Sequence, residues 1–225
     1  MSVKVAKSAG FCFGVSRSVD MAEKLIGEKG ACASYGQLIH NEDVVARLAA
    51  RGLRVVDQPM ELRPGETVLI RAHGVAKEVY AQLEGAGGEV VDATCPKVKA
   101  IHTIVSRAAD EGRFVIIIGM PRHPEVEGIC GWCGAHKVFE NSQELALWLD
   151  NNSDYWEKPI TVVVQTTQTR RIRPQTPAHV SAGEESAREP TSVIHFLGAH
   201  GISLRVSGQK TPARGPGSLV LSVWR

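Results

Sequence analysis

The feature that most constrains this chain is an alternation: short apolar, often β-branched runs are followed repeatedly by longer stretches with apolar residues at helical spacing. Ser2–Ala6 reads as a strand, and Val15–Glu28 as a helix with Val15, Val19, Ala22, Leu25 and Ile26 on one face. A strand near Ala31–Tyr35 leads to a helix over Asn41–Arg51 carrying Val44, Val45 and Leu48. Strand Thr67–Arg71, helix Ala76–Glu84, strand Glu89–Asp92 and helix Lys97–Glu111 follow. Phe114–Gly119 is a Val and Ile run closed by glycine, the pattern of a strand buried on both faces. A helix over Ser142–Asp150 and a buried strand over Ile160–Val164 continue the rhythm. Alternation of this kind demands parallel sheets with helices packed over them, so the predicted fold class is α/β.

The chemically interesting side chains all follow predicted strands. Cys12 lies in Gly10-Phe-Cys-Phe-Gly14, His40 in Gly36-Gln-Leu-Ile-His-Asn41, and His73 in Arg71-Ala-His-Gly74. Cys95 lies in Asp92-Ala-Thr-Cys-Pro96, His123 and Glu125 in Gly119-Met-Pro-Arg-His-Pro-Glu125, and Thr166 and Thr167 just after Gln165. Open parallel sheets bind ligands beyond the carboxyl ends of their strands. One such histidine is ordinarily a surface residue; six placements in register weaken that reading.

Bulk properties narrow the classes. The net charge of +2 gives no footprint for nucleic acid or an anionic membrane. No apolar stretch approaches the ~20 residues that span a bilayer, and Met1–Gly10 lacks the apolar core of a secretory signal. A cytoplasmic protein is expected. There, five cysteines point to metal binding or reactivity rather than disulfides. The glycines around Cys12 permit close approach of a bulky inorganic ligand, with Phe11 and Phe13 as an apolar wall. Cys95 precedes a proline suited to open a helix, whose positive end favours a thiolate. Taken singly, each is equally well a small buried hydrophobe. Cys130-Gly-Trp-Cys133 is a C-x-x-C pair that reads more simply as two small residues beside Trp132, and Cys32 reads as core. Three imidazoles at strand-to-helix turns suit phosphate oxygens, although three histidines also suit zinc. Glu125, two residues after His123, points to acid–base work.

The strings Ala6-Lys-Ser-Ala-Gly-Phe-Cys-Phe-Gly-Val15, Tyr35-Gly-Gln-Leu-Ile-His-Asn41, Arg71-Ala-His-Gly-Val75, Asp92-Ala-Thr-Cys-Pro96, His123-Pro-Glu-Val-Glu-Gly128 and Gln165-Thr-Thr167 resemble the 4-hydroxy-3-methylbut-2-enyl diphosphate reductases, the LytB (IspH) family, in order and over about three quarters of the chain. The resemblance implies small α/β lobes around a central cavity and a [4Fe-4S] iron–sulfur cluster on three cysteines with one open iron. It implies Cys12 and Cys95 as two of the ligands. It implies His40, His73 and His123 around the substrate diphosphate, with His123 also near the substrate hydroxyl. Glu125 would relay protons to the leaving hydroxyl, and Thr166 would help position it. The implied reaction is a reductive dehydroxylation yielding isopentenyl and dimethylallyl diphosphate in the non-mevalonate isoprenoid pathway. The implied electron donor is a ferredoxin or flavodoxin.

The resemblance stops near Gln168. In the family, a third lobe supplies the third cysteine and a Ser-x-Asn motif; residues 168–225 contain neither. That stretch holds eight Arg or Lys, three Glu, no Asp and five of the eleven prolines, a composition expected of a disordered or non-native segment. Short apolar runs at Val193–Leu197 and Ser218–Val223 are the exceptions. The expected organisation is therefore a first α/β lobe over 1–95, a second over 96–167, and a divergent, poorly ordered remnant over 168–225 in place of the third. A frameshift or mis-called gene end near Gln168 would produce this. Three functions are expected to compete: the reductase, an inactive truncated product without a stable cluster, and a zinc or phosphate-binding module.

Overall fold

The structure is a computed structural model that describes Lys4, residues 9–152, 154–155 and 159–167, and the backbone of 195–196, 203–205 and 222–224. It divides into two units, Met1–Lys99 and Ala100–Arg225. The expected strand over Ser2–Ala6 lies outside the described residues, Lys4 apart.

In the first unit, helix α1 (Phe13–Lys29) buries Val19, Ala22 and Ile26 and stops at Gly30, whose φ of 77° is the left-handed conformation that glycine tolerates best. Strand β1 (Cys32–Tyr35) leads to α2 (Glu42–Ala49), where the Asn41 side chain caps the helix by accepting from the Val44 N–H at 3.0 Å. Strands β2 (Leu53–Val56) and β3 (Thr67–Ile70), helix α3 (Lys77–Gly85) and strand β4 (Glu89–Asp92) complete a parallel sheet of order β2-β1-β3-β4. Its two faces divide by strand parity. Leu69 packs with Ala22, Leu38 and Leu48, while Val68 and Ile70 pack with Val56 and Leu83. The unit boundary falls within α4 (Pro96–Asp110).

The second unit repeats the winding. Strand β5 (Phe114–Ile118), α5 (Pro124–Cys130), β6 (His136–Phe139), α6 (Ser142–Asn151) and β7 (Ile160–Val164) precede β8 (His195–Phe196), in a parallel sheet of order β6-β5-β7-β8. Val115 and Ile117 face Ile101, Val105 and Ile129, while Ile116 and Ile118 face Phe139, Leu145 and Leu149. The Val and Ile run thus fills both faces, as its composition predicts. Within the apolar run at Val193–Leu197 the described part is β8, beside β7. A separate antiparallel pair joins β9 (Ser203–Arg205) to β10 (Ser222–Trp224), the latter overlapping the end of the run at Ser218–Val223.

Both sheets are α/β and wound alike, so each reverses strand order once. The reversal lies between β1 and β3 in the first unit and between β5 and β7 in the second. At such a switch point the loops leave in opposite directions, and a crevice opens at the strands' carboxyl ends. Among the described elements, β2, β6, α5 and β9 escape the sequence reading. β2 hides behind the end of α2. β6 is an edge strand whose first two residues, His136 and Lys137, are exposed. α5 is short and carries a proline at its first position and an interior glycine, both of which read as turn.

Candidate functional site

Within the first unit, two cysteines sit at helix N-termini. Cys12, exposed, is the N-cap of α1, and Cys95, half-buried, immediately precedes Pro96 of α4. Gly14 lets the two helix ends meet: a Cβ there would collide with Cys95 Sγ and stand 3.0 Å from Cys95 Cβ. Ser18 ties the corner together, its buried hydroxyl placed to bond both Ala93 O at 2.8 Å and Gly14 O at 3.0 Å. Arg17 adds a bond to Thr94 O at 3.3 Å. Asp92 shapes the same turn by accepting from the Thr94 N–H at 2.9 Å, Tyr80 at 3.1 Å and Lys99 at 2.6 Å. Burial alone would raise the Asp92 pKa, but the Lys99 and Thr94 bonds outweigh it and hold the carboxyl below its ordinary range.

The sheet's hydrogen-bond ladder continues past its strands. Ala72 N–H donates to Leu38 O at 3.1 Å, and Cys95 N–H donates to Ala72 O at 2.9 Å. These bonds lock together the loops after β1, β3 and β4, which carry His40, His73 and Cys95. The His40 and His73 rings stand 4.2 Å apart, centroid to centroid, at the switch point of the first sheet. Gly36 (φ 70°) leaves room for the Arg71 guanidinium between those two loops. Two imidazoles on a braced frame, one exposed and one half-buried, can donate to an anion.

Within the second unit, the switch point holds His123, Glu125 and Thr166. His123 caps α5: its Nδ1 accepts from the Glu125 N–H at 3.1 Å. A neutral ring held this way carries its proton on Nε2, a donor suited to phosphate oxygen. Glu125 is 1% exposed. Thr166 donates to both its oxygens, from the backbone N–H at 2.6 Å and from Oγ1 at 2.8 Å. Burial raises the Glu125 pKa, and the Thr166 bonds oppose that shift without cancelling it. A carboxyl that burial makes hold its proton more tightly than usual, touching a hydroxyl, can deliver a proton.

The remaining cysteines are packed. Cys32 is fully buried in the first core, which raises its pKa, with the charge of Glu66 adding to the effect. Cys133 donates to Ile129 O at 3.3 Å, and burial, reinforced by the neighbouring Cys130, pushes its thiol up to about 12. Cys130 is likewise raised by burial. The C-x-x-C pair closes the end of α5 beside Trp132 rather than opening a helix, where a reactive thiolate is favoured. Iodoacetamide at neutral pH is therefore expected to alkylate Cys12 first and to leave Cys32 and Cys133 unmodified until the chain unfolds, as read by peptide mass mapping. Early labelling of Cys133 would contradict this packing. Phe11 and Phe13, flanking Cys12, are 45% and 74% exposed, so they form an open apolar rim. Gly14, expected to make room for a ligand at Cys12, makes room for Cys95 instead, and Gln165 had no expected role because its contribution is a bridging bond between distant loops.

The family model described as LytB protein matches residues 3–206. The 4-hydroxy-3-methylbut-2-enyl diphosphate reductase of Dehalococcoides mccartyi is 40% identical over 168 residues, 75% of this chain and 57% of the relative. The enzyme of the same name from Clostridioides difficile is 39% identical over 171 residues, 74% of this chain and 59% of its own length. A solved (E)-4-hydroxy-3-methyl-but-2-enyl diphosphate reductase, described as the terminal enzyme of the non-mevalonate pathway, superposes with a TM-score of 0.63 at 36% identity, covering 75% of this chain and 59% of that one. The Plasmodium falciparum E-1-hydroxy-2-methyl-but-2-enyl-4-diphosphate reductase superposes at 0.65 with 25% identity, covering 73% and 51%. The chain thus spans somewhat over half the length of the relatives it matches.

Proposed function

This chain belongs to the LytB protein family, and on that premise we propose that it reductively dehydroxylates 4-hydroxy-3-methylbut-2-enyl diphosphate. The observation that carries the reading is the buried Glu125 carboxyl, bonded twice by Thr166 at a sheet switch point. The allylic carbon–oxygen bond breaks with two electrons and two protons. One proton converts the leaving hydroxyl to water, and the other ends on carbon, giving isopentenyl or dimethylallyl diphosphate. Glu125 supplies the first proton, with Thr166 holding the hydroxyl in line. His40, His73 and His123 bind the diphosphate. A ferredoxin or flavodoxin supplies the electrons. Among the described residues no helix is long and apolar enough to cross a membrane.

The thiols of Cys12 and Cys95, at helix N-termini with Gly14 cleared between them, suit two ligand positions of a [4Fe-4S] cluster. Such a cluster would pass on the donor's two electrons one at a time and offer a Lewis-acidic iron. In this reading, residues 1–95 carry the thiols and two histidines, and 96–167 carry His123 and the acid. Residues 168–225 stand where the family has a third lobe. One observation favours a second reading: no cysteine follows Cys133, so the third thiolate is missing from 168–225. The second reading is a family member that holds no stable cluster. Anaerobic expression with iron and sulfide analysis separates them. A brown protein absorbing near ~400 nm that turns over the substrate with reduced ferredoxin is the expected result for the reductase. A colourless, iron-free chain would overturn it and support the second reading.

A further inference from the structure

Gln165 directly precedes Thr166, which bonds Glu125, and its backbone N–H and both polar atoms of its side-chain amide are hydrogen-bonded. It is 2% exposed, at the first position past β7. Its backbone N–H donates to Ile118 O at 2.9 Å, extending the β5–β7 ladder by one step. Its side-chain Oε1 accepts from the Met120 N–H at 3.0 Å, and its Nε2 donates to Thr167 Oγ1 at 2.6 Å. One amide thus pins the loop that leads from β5 into His123 and Glu125, and also the turn that carries Thr166. Gly119 makes the contact possible, since a Cβ there would stand 2.9 Å from both Gln165 Cβ and Oε1, and 2.8 Å from Val126 Cγ2.

We propose that Gln165 is a positioning residue, whose amide sets the spacing of the β5 and β7 loops so that the Thr166 N–H and hydroxyl reach both oxygens of Glu125. This deepens the reading above, because it concerns the same acid. Each side chain at Gln165 other than a long amide fails differently. Leucine fills the volume but bonds neither loop. Glutamate keeps the acceptor for Met120 but loses the donor to Thr167, and brings a second buried carboxyl into the region of Glu125. The amide is the one side chain of this length that both donates and accepts without charge. Because Gln165 itself is buried, losing the Met120 or Thr167 bond leaves its own polar group poorly rehydrated.

The test uses the full chain without cluster or substrate, so it stands whether or not the chain is an active reductase. In 15N-labelled protein, the Thr166 amide reports the bond to Glu125 through its exchange rate and through its chemical shift as the carboxyl titrates. Gln165→Leu is expected to speed Thr166 amide exchange at least about tenfold, while amides in β5 keep wild-type protection. It is also expected to move the Glu125 titration further upward, since the Thr166 bonds favour the charged form. Thr167→Val, a change at an exposed residue, removes one end of the bridge and is expected to shift both readouts the same way. Thr167→Ser, which restores the hydroxyl, is expected to return them to wild type. Should Gln165→Leu fail to fold, the two Thr167 variants decide. Wild-type exchange and titration in a folded Gln165→Leu chain, or in Thr167→Val, would overturn the proposal.

Discussion

Gly14→Ala is expected to destabilise the first unit by about 1–3 kcal/mol, the usual cost of forcing an extra methyl into a packed contact. A urea or thermal melt of the variant measures it. The added Cβ meets Cys95, whose Cβ would be 3.0 Å away and whose backbone is fixed by bonds to Ala72 O and from Lys99 N–H. Neither partner can withdraw without breaking the ladder that also holds His73. Gly27→Ala, in the same helix α1, is the control. Among the described residues, and apart from Gly27's own neighbours and helix backbone, no atom lies within 4 Å of a Cβ at Gly27, so the change is expected to stabilise by about 0.5–1 kcal/mol through helix propensity. Adding Cys95→Ala to Gly14→Ala should recover part of the loss, because the offending sulfur is gone; an additive double variant would count against the contact. In an iron-loaded chain, Gly14→Ala should also reduce iron content, because it displaces Cys95.

Glu125→Gln should separate stability from chemistry. Glutamine cannot deliver a proton, so turnover in a cluster-loaded enzyme is expected to fall by about 10²–10⁴-fold, the range for loss of a general acid. Stability should move the other way. The folded-state pKa of Glu125 lies above its ordinary value of 4.5, so the folded state binds this proton more tightly than the unfolded state does. Its contribution is fully favourable below pH 4.5 and is lost as pH rises through the folded pKa. Above that point the wild type bears a buried charge that glutamine lacks. Denaturant midpoints against pH should therefore show the variant gaining on the wild type as pH rises from 4.5 to 8, with the gain absent below 4.5. A gap independent of pH would mean that the carboxyl is not the source.

Much of the fold was legible because buried parallel strands and amphipathic helices write themselves as composition and period. Phe114–Ile118 is apolar throughout because both faces of β5 are covered, and Glu89–Asp92 was bounded by glycine and a turn. β6 was missed because an edge strand covers little core, so its first two residues are polar. α5 was missed because its residues answer to capping and packing around Glu125 rather than to a long apolar stripe. The candidate residues were picked out by motif strings; His40, His73, Cys95, His123, Glu125 and Thr166 each come after a described strand, while the strand expected before Cys12 lies outside the described residues.

What the sequence determined by itself was the α/β class, the identity of these polar residues, the placement of all but Cys12 past described strands, and the lack of any cysteine after Cys133. Such properties are carried by local period and by residue type, which need no partner from elsewhere in the chain. The tertiary structure alone decided the strand orders that place His40 against His73 and Glu125 against Thr166, residues 33 and 41 positions apart in sequence. It also decided that Gly14 clears a path for Cys95 and that Gln165 bridges two loops. Burial that moves a pKa, a void the size of one methyl group, and a bond between distant loops all depend on which residues meet in space, and no local pattern encodes that.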